Sequence, residues 1–322
     1  MKPFEYARAA TPAEAVRDFT PGTMYLGGGT NLVDLMRLGV AEPERLVDVS
    51  RLPLDEIEQA GDRVRVGATV RNTDLAVHPL IRTRYPMLAR ALLSGASGQV
   101  RNIATVAGNL LQRTRCPYFQ DVSRPCNKRR PGSGCPAIAG DHSGLAVLGA
   151  SDACVATHPS DMAVALAALE AEVHVTGPAG DRIVPIPGLH RLPGDRPERD
   201  TVLEPGDLIT AVELPPPPPG AQMYRKVRER SSFAFALVSI AAALDVRDGR
   251  VAGCRIALGG VAHVPWRAGR AEQALTGGPA TGEAFLQAAE AELEQARPLP
   301  RNAYKVPLAR NLIVATLEEL AP

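Results

Sequence analysis

Four cysteines, Cys116, Cys126, Cys135 and Cys154, share one irregular stretch of the chain, separated by nine, eight and eighteen residues, with proline or glycine beside the first three. Thiols grouped in this way call for a bound metal or a pair of disulfides, because the thiolate is a soft, strong ligand. Just ahead of them lies Thr105-Val106-Ala107-Gly108-Asn109, whose small residues let main-chain N–H groups come close to an anion. Just after them, His158-Pro159-Ser160-Asp161 offers a hydroxyl and a carboxylate before the apolar run Met162–Leu169, where Ser160 is placed to cap a helix.

A second anion-binding candidate is Gly27-Gly28-Gly29-Thr30-Asn31. Three glycines between a strand and a helix can wrap a pyrophosphate, helped by the positive end of the following helix, although an ordinary flexible turn has the same composition. The loop is neither G-x-G-x-x-G nor a Walker A sequence, since no lysine follows the last glycine. The histidines, His78, His142, His158, His174, His190 and His263, are scattered, with no recognisable metal-ligand pair and no nucleophile–base spacing. No catalytic residue is therefore expected on this chain.

The elements that must position these residues follow from the pattern. Thr11-Pro12-Ala13-Glu14 is a capping box with proline at the first helical position. Met24-Tyr25-Leu26, the glycine loop, a helix carrying Leu32, Leu35, Met36 and Leu38, and the strand Leu46–Val49 make a small βαβ unit. Hairpins are expected over 57–68, turning at Ala60-Gly61-Asp62, and over 172–186, turning about 177–180; Leu208–Leu214 alternates as a strand. Helices are expected at 73–77 and 86–93. Pro215 to Pro219 is a run of five prolines, stiff as polyproline II and spanning roughly 15 Å, expected as a domain boundary. Beyond it, strands at 222–227, 235–246 and 251–261, the last two turning at Asp248-Gly249, precede helices at 267–275, 282–295 and 306–320.

At 322 residues the chain should divide into two or three domains. Its 36 basic and 35 acidic residues give no field that would attract nucleic acid or an anionic membrane. The sequence Met1-Lys2-Pro3-Phe4-Glu5-Tyr6 does not have the form of a secretory signal, and no apolar run approaches the roughly 18 residues that span a bilayer. By its own sequence the chain is cytoplasmic, with no membrane insertion. In such a compartment clustered thiols favour metal ligation over disulfides, and Cys254, on an apolar strand, reads as a small buried residue. Lys128, Arg129 and Arg130 read as a solvated basic run, or as charges that offset a thiolate-bound metal or dock a partner.

The Tyr-Leu-Gly-Gly-Gly-Thr-Asn-Leu loop at 25–32, the Thr-Val-Ala-Gly-Asn turn, the Ser160-Asp161 pair and the Tyr224-Arg225-Lys226 strand, in this order, resemble the FAD-binding (medium) subunit of the xanthine dehydrogenase and molybdenum hydroxylase family. The resemblance covers nearly the whole chain. It implies an α+β architecture: a two-part FAD-binding domain of the vanillyl-alcohol-oxidase (PCMH) type over 1–214, divided into a βαβ subdomain at 1–54 and an α+β subdomain at 55–214; a proline linker at 215–220; and a C-terminal CO-dehydrogenase-flavoprotein-type domain at 221–322, an antiparallel sheet with helices. Carried over by position, it implies that Leu26, Gly27, Gly28, Gly29, Thr30, Asn31 and Leu32 wrap the FAD pyrophosphate, that Thr105, Ala107, Gly108 and Asn109 form a second cofactor loop, and that Ser160, Asp161, Ile209 and Lys226 lie against FAD, the last two close to the flavin ring.

The cysteine insertion, about 112–156, departs from most of the family, and the string Gln112-Arg113-Thr114-Arg115-Cys116-Pro117-Tyr118-Phe119 resembles bacterial aldehyde oxidoreductases whose FAD subunit holds an additional [4Fe-4S] cluster. That likeness implies Cys116, Cys126, Cys135 and Cys154 as cluster ligands; zinc is the competing metal, although the spacing lacks paired C-x₂₋₄-C knuckles. The implied role is electron transfer within a heterotrimer. A large molybdopterin-binding subunit oxidises the aldehyde, a small subunit with two [2Fe-2S] clusters relays electrons, and this chain passes them through FAD to an external acceptor. A partner with a twin-arginine signal would carry it to the periplasm. The rival readings are a non-catalytic assembly subunit stabilised by zinc and a stand-alone FAD oxidase.

Overall fold

A computed structural model describes residues 1–321. The chain opens with β1 (Glu5–Arg8), β2 (Thr23–Leu26) and β3 (Arg45–Asp48), a parallel sheet in the order β1-β3-β2. The helix Pro12–Arg17 starts as its capping box requires: Thr11 Oγ1 accepts from Glu14 N at 3.1 Å, and Glu14 Oε2 accepts from Ala10 N at 2.8 Å. The glycine loop then leads from β2 into the helix Leu32–Arg37. The sequence gives no signal for β1, whose side chains are mostly exposed and so lack the alternation that marks a half-buried strand.

The second sheet is antiparallel, built from β4 (Ile57–Ala60), β5 (Arg63–Gly67), β6 (Glu172–Gly177), β7 (Gly180–Pro185) and β8 (Leu208–Leu214) in the order β4-β5-β8-β6-β7. Its hairpins turn where expected, with Gly61 and Gly180 at φ +65° and +102°, backbone that glycine adopts without strain. The helix Asp161–Leu169 is buried along its whole length, packed on the helix Pro86–Ser94 and on the third sheet. That placement explains why its sequence is apolar all round rather than on one stripe.

The third sheet is also antiparallel: β9 (Ala221–Val227), β10 (Val238–Arg247), β11 (Arg250–Gly259) and the two-residue β12 (Trp266–Arg267), in the order β12-β11-β10-β9. Asp248 and Gly249 both adopt positive φ, as their two-residue hairpin turn demands. The alternation along β10 separates two cores. Ile240, Ala242 and Leu244 pack with Phe285 and Ile313 of the helices Gly282–Leu293 and Lys305–Leu320, whereas Ala241 and Ala243 join the core around the helix Asp161–Leu169. The third sheet is thus fastened to the rest of the chain through its alanine face. Among the described residues no helix is long and apolar enough to cross a membrane.

Candidate cofactor sites

The glycine loop and the Thr105–Asn109 turn are pressed together. A Cβ on Gly28 would lie 2.2 Å from the Ile103 carbonyl oxygen, and one on Gly27 would lie 3.1 Å from Thr105 Oγ1. Gly29 sits at φ +74°. Thr105 caps the helix Val106–Leu110, its Oγ1 accepting from Gly108 N at 3.2 Å. Asn31 Oδ1 accepts from Arg113 N at 2.8 Å, which ties the glycine loop to the start of the cysteine segment. Asn109 Oδ1 accepts from Ser160 Oγ at 2.6 Å, which ties the turn to its end, and Ser160 Oγ also caps the helix Asp161–Leu169 by accepting from Ala163 N at 3.0 Å.

Asp161 lies at the foot of that helix inside a buried network. Its Oδ2 accepts from Lys226 Nζ at 2.8 Å and its Oδ1 from Tyr224 Oη at 2.5 Å. Lys226 also donates to the Ser94 carbonyl at 3.0 Å. Burial pushes the Asp161 carboxyl up from the ordinary carboxylate range, opposed by the Lys226 ammonium and the Tyr224 hydroxyl, and pushes Tyr224 well above the ordinary phenol range. Ile209 stands apart from this network, buried in β8 within the main apolar core, which Ala107 also touches.

All five cysteines carry free thiols, and Cys116, Cys126, Cys135 and Cys154 line a single cavity with Phe119, Ala137, Val155 and Lys128. The cavity is tight, with only about 10 Å³ open to a water between its walls. Main-chain N–H groups face the sulfurs: those of Phe119 and Tyr118 at Cys116, those of Val155, Ala137 and Ile138 at Cys135, and that of Ala156 at Cys154. Burial pushes the Cys116 and Cys135 thiols up and that of Cys154 up to about 11, against the pull of those N–H groups. Among the described residues no three His, Cys, Asp or Glu side chains converge at the spacing of a single-ion site.

The chain around these thiols is held by long-range bonds. The basic run expected as solvated is not: Lys128 is buried, pairs with Asp200 and donates to the Pro197 carbonyl at 2.8 Å, while Arg129 donates to the Tyr118, Phe119 and Arg124 carbonyls. Only Arg130 of the three is exposed. From the C-terminal side, Asn302 Nδ2 donates to the Ala146 carbonyl at 3.0 Å, and Lys305 Nζ donates to the Gly144 and Gly260 carbonyls at 2.7 Å each.

Residues 2–217 match the FAD binding domain in molybdopterin dehydrogenase, and residues 222–320 match the CO dehydrogenase flavoprotein C-terminal domain. The chain is 51% identical over 324 residues to the aldehyde oxidoreductase FAD-binding subunit of Escherichia coli (strain K12), covering 99% of this chain and 98% of that one. It belongs to the FAD-binding subunits of the molybdenum hydroxylases. A more distant relative is the carbon monoxide dehydrogenase medium chain of Hydrogenophaga pseudoflava, 27% identical with 98% and 96% of the two chains covered. The matching chain in a structure of that organism's carbon monoxide dehydrogenase, lacking the Mo-pyranopterin moiety, superposes with a TM-score of 0.77 at 28% identity, covering 99% and 97% of the two chains.

In this FAD-binding subunit the fold gathers groups that the sequence leaves scattered. Tyr224 completes the Asp161–Lys226 network; the sequence signal was its place two residues before Lys226, on the same face of a strand. His158, His190 and His263 line one cavity with Asp200 and Arg113, although 32 and 73 residues separate them in turn. No local pattern links them.

Proposed function

We propose that the chain is the FAD-binding, electron-transferring subunit of a molybdenum-containing aldehyde oxidoreductase, and that its cysteine loop holds a [4Fe-4S] cluster. The single observation that carries the reading is the convergence of the two small-residue loops, the Ser160-Asp161 pair and Lys226 at the two ends of that loop. Identity of 51% to an aldehyde oxidoreductase FAD-binding subunit supports the substrate class. Residues 26–32, Thr105, Ala107, Gly108 and Asn109 would offer N–H groups to the pyrophosphate. Ser160, Asp161 and Lys226 would lie against the rest of FAD, and Ile209, its side chain in the apolar core, would reach it only through its main chain; the Lys226 cation would stabilise negative charge as it builds on the reduced ring. When bound, the two groups supply a two-electron carrier beside a one-electron carrier, so electrons from a partner subunit can be paired or separated on this chain. Domain boundaries at 1–214 and 221–322 around the proline linker belong to the same proposal.

The cysteine spacing, which has no paired C-x₂₋₄-C knuckles, supports the cluster over zinc. A cubane places each thiolate on its own iron and so spreads them around a cavity. The N–H groups facing the sulfurs would offset its negative charge. Under this reading a large molybdopterin subunit oxidises the aldehyde, a small subunit with two [2Fe-2S] clusters delivers electrons, and an external acceptor removes them. Metal and flavin analysis of the purified complex tests it. One FAD and about four irons per chain beyond those of the small subunit are expected; one zinc with no additional iron overturns the cluster.

A further inference from the structure

Beside the cysteine cavity lies a second one, lined by His158, His190, His263, Asp200, Arg113 and Gln112. It has about 20 Å³ open to a water, and one water needs about 10–15 Å³. His190 and His263 are 7% and 5% exposed, and each has a ring nitrogen without a protein partner: Nδ1 of His190 and Nε2 of His263. His158 is half-buried as a residue, but its Nε2 is buried and unpartnered too.

Their bonded nitrogens fix the tautomers. His158 Nδ1 accepts from Ser160 N at 3.3 Å, so its Nε2 carries the proton. His190 Nε2 donates to the Leu110 carbonyl at 2.9 Å and His263 Nδ1 donates to the Arg191 carbonyl at 2.8 Å, so their free nitrogens are acceptors. One donor and two acceptors around room for one water is the complement a water molecule needs. A metal ion is disfavoured: His158 would have to surrender its proton, the Lys128 ammonium already occupies the Asp200 Oδ1 nearest His263, and no metal-holding convergence exists among the described residues.

The cavity is wired to both candidate redox sites. Asp200 accepts from Arg113 Nε at 2.6 Å and pairs with Lys128, which itself lines the cysteine cavity. Arg113 N bonds the glycine-loop residue Asn31, and Ser160, bonded to His158, bonds Asn109 of the second loop.

We propose that His158, His190 and His263, gathered around one internal water, form a proton-loading site that takes up a solvent proton at His263 Nε2 when the neighbouring cluster gains an electron. The inference rests on the reading that the cysteine loop holds that cluster. The electron arrives from a partner subunit; the proton enters past the half-buried Gln112 and Thr201, adds to the Nε2 lone pair, and leaves again when the electron moves on. Asp200 Oδ1, 4.0 Å away, is the counter-ion for the imidazolium.

The groups facing the site set the pH at which it works. Burial, Lys128 and His190 hold His263 down to about 4, with Asp200 pulling the other way; burial holds His158 and His190 below their ordinary value. Arg113 and Lys128 in turn keep Asp200 ionised. By Coulomb's law at an effective dielectric of about 20, a negative charge added about 10 Å from any imidazolium tightens its proton binding by about an order of magnitude. Loading therefore belongs to the acid side, between about pH 4 and pH 6, and not to neutral pH.

Redox titration of the holoprotein from pH 4.5 to 8, with the cluster followed by electron paramagnetic resonance, tests it. The cluster midpoint should fall by about 30 mV as pH rises from 4.5 to about 6, half of the roughly 59 mV that a tenfold change in proton affinity gives a one-electron couple over the full window, and be level above it. His263→Gln should remove that fall while keeping iron and flavin content, and reduction of the wild-type protein near pH 5 in weak buffer should consume protons. A level midpoint in an iron-replete wild-type protein overturns the site, as does an acid-side fall that survives in His263→Gln. Absence of iron instead removes the cluster reading beneath it, and a metal ion retained by the three histidines overturns the water.

Discussion

Lys226 and Asp161, 65 residues apart, meet in an ion pair of 2.8 Å with side chains 3% and 7% exposed. A buried pair of this kind gives little net stability, but loss of one partner leaves the other charge stranded, at a cost of about 3–5 kcal/mol. Lys226→Met should therefore lower the unfolding free energy by roughly 3 kcal/mol and reduce flavin content. Urea unfolding with flavin quantitation checks both, and a stable variant with full flavin would remove Lys226 from the site.

Acid should weaken the protein through its buried histidines. The folded-state value of His263 is about 4, against about 6.5 when unfolded. The unfolded chain therefore binds the extra proton first: stability from this group is full above about pH 6.5 and is lost as pH falls toward 4, by up to roughly 3 kcal/mol. His158 and His190, also held low, steepen the same slope. Denaturation midpoints between pH 4.5 and 7.5 should fall with acid in the wild-type protein and less steeply in His263→Gln; equal slopes would contradict this.

Gly28 is required by the protein's own backbone before any ligand arrives, since even a methyl group would collide with the Ile103 carbonyl. Gly28→Ala should push the two small-residue loops apart, cost about 1–3 kcal/mol and yield a preparation depleted of FAD. Normal flavin occupancy in Gly28→Ala would show that the loops do not cooperate in binding.

Under the cluster reading, Cys135→Ser should leave the cysteine cavity without metal and open residues 117–144 to protease, because the loop's apolar anchors, Phe119 and Ala137 among them, pack around the thiols themselves. Cys254→Ser should leave iron unchanged, its Sγ lying against the Glu272 carbonyl in another domain. Iron assays on the two variants decide the assignment, which fails if they lose metal equally.

Lys305 is fully buried and satisfies two carbonyls, one in the cysteine segment and one in the strand-end loop at Gly260. Lys305→Met fills the space but leaves both acceptors unpaired, so a loss of about 2–4 kcal/mol is expected. Hydrogen exchange should rise around residues 142–148, and unchanged exchange there would show the clamp to be dispensable.

Much of this was legible in the sequence where the signal is local. The Asp248-Gly249 turn, the Thr11 cap and the strand–glycine–helix unit each need only neighbouring residues, and each formed as its chemistry requires. The four thiols could be grouped because they share one segment. What stayed hidden depends on partners far along the chain. Lys128 looks solvated until Asp200, 72 residues away, supplies a buried counter-charge. The three histidines look incidental until the loop after Leu189, the His158 turn and the end of β11 close on one another. Ile209 could be placed on a strand, but only the packed sheet shows that its side chain belongs to the apolar core.

The clamp made by Asn302 and Lys305 also has a bearing on biosynthesis. A ribosome releases the cysteine segment first and these anchors roughly 150 residues later, a delay of roughly 7–30 s at about 5–20 residues per second. During that interval the nascent loop lacks its latch. Under the proposed cluster reading, metal insertion would meet an open acceptor on the growing chain and a latched one once Asn302 and Lys305 have emerged.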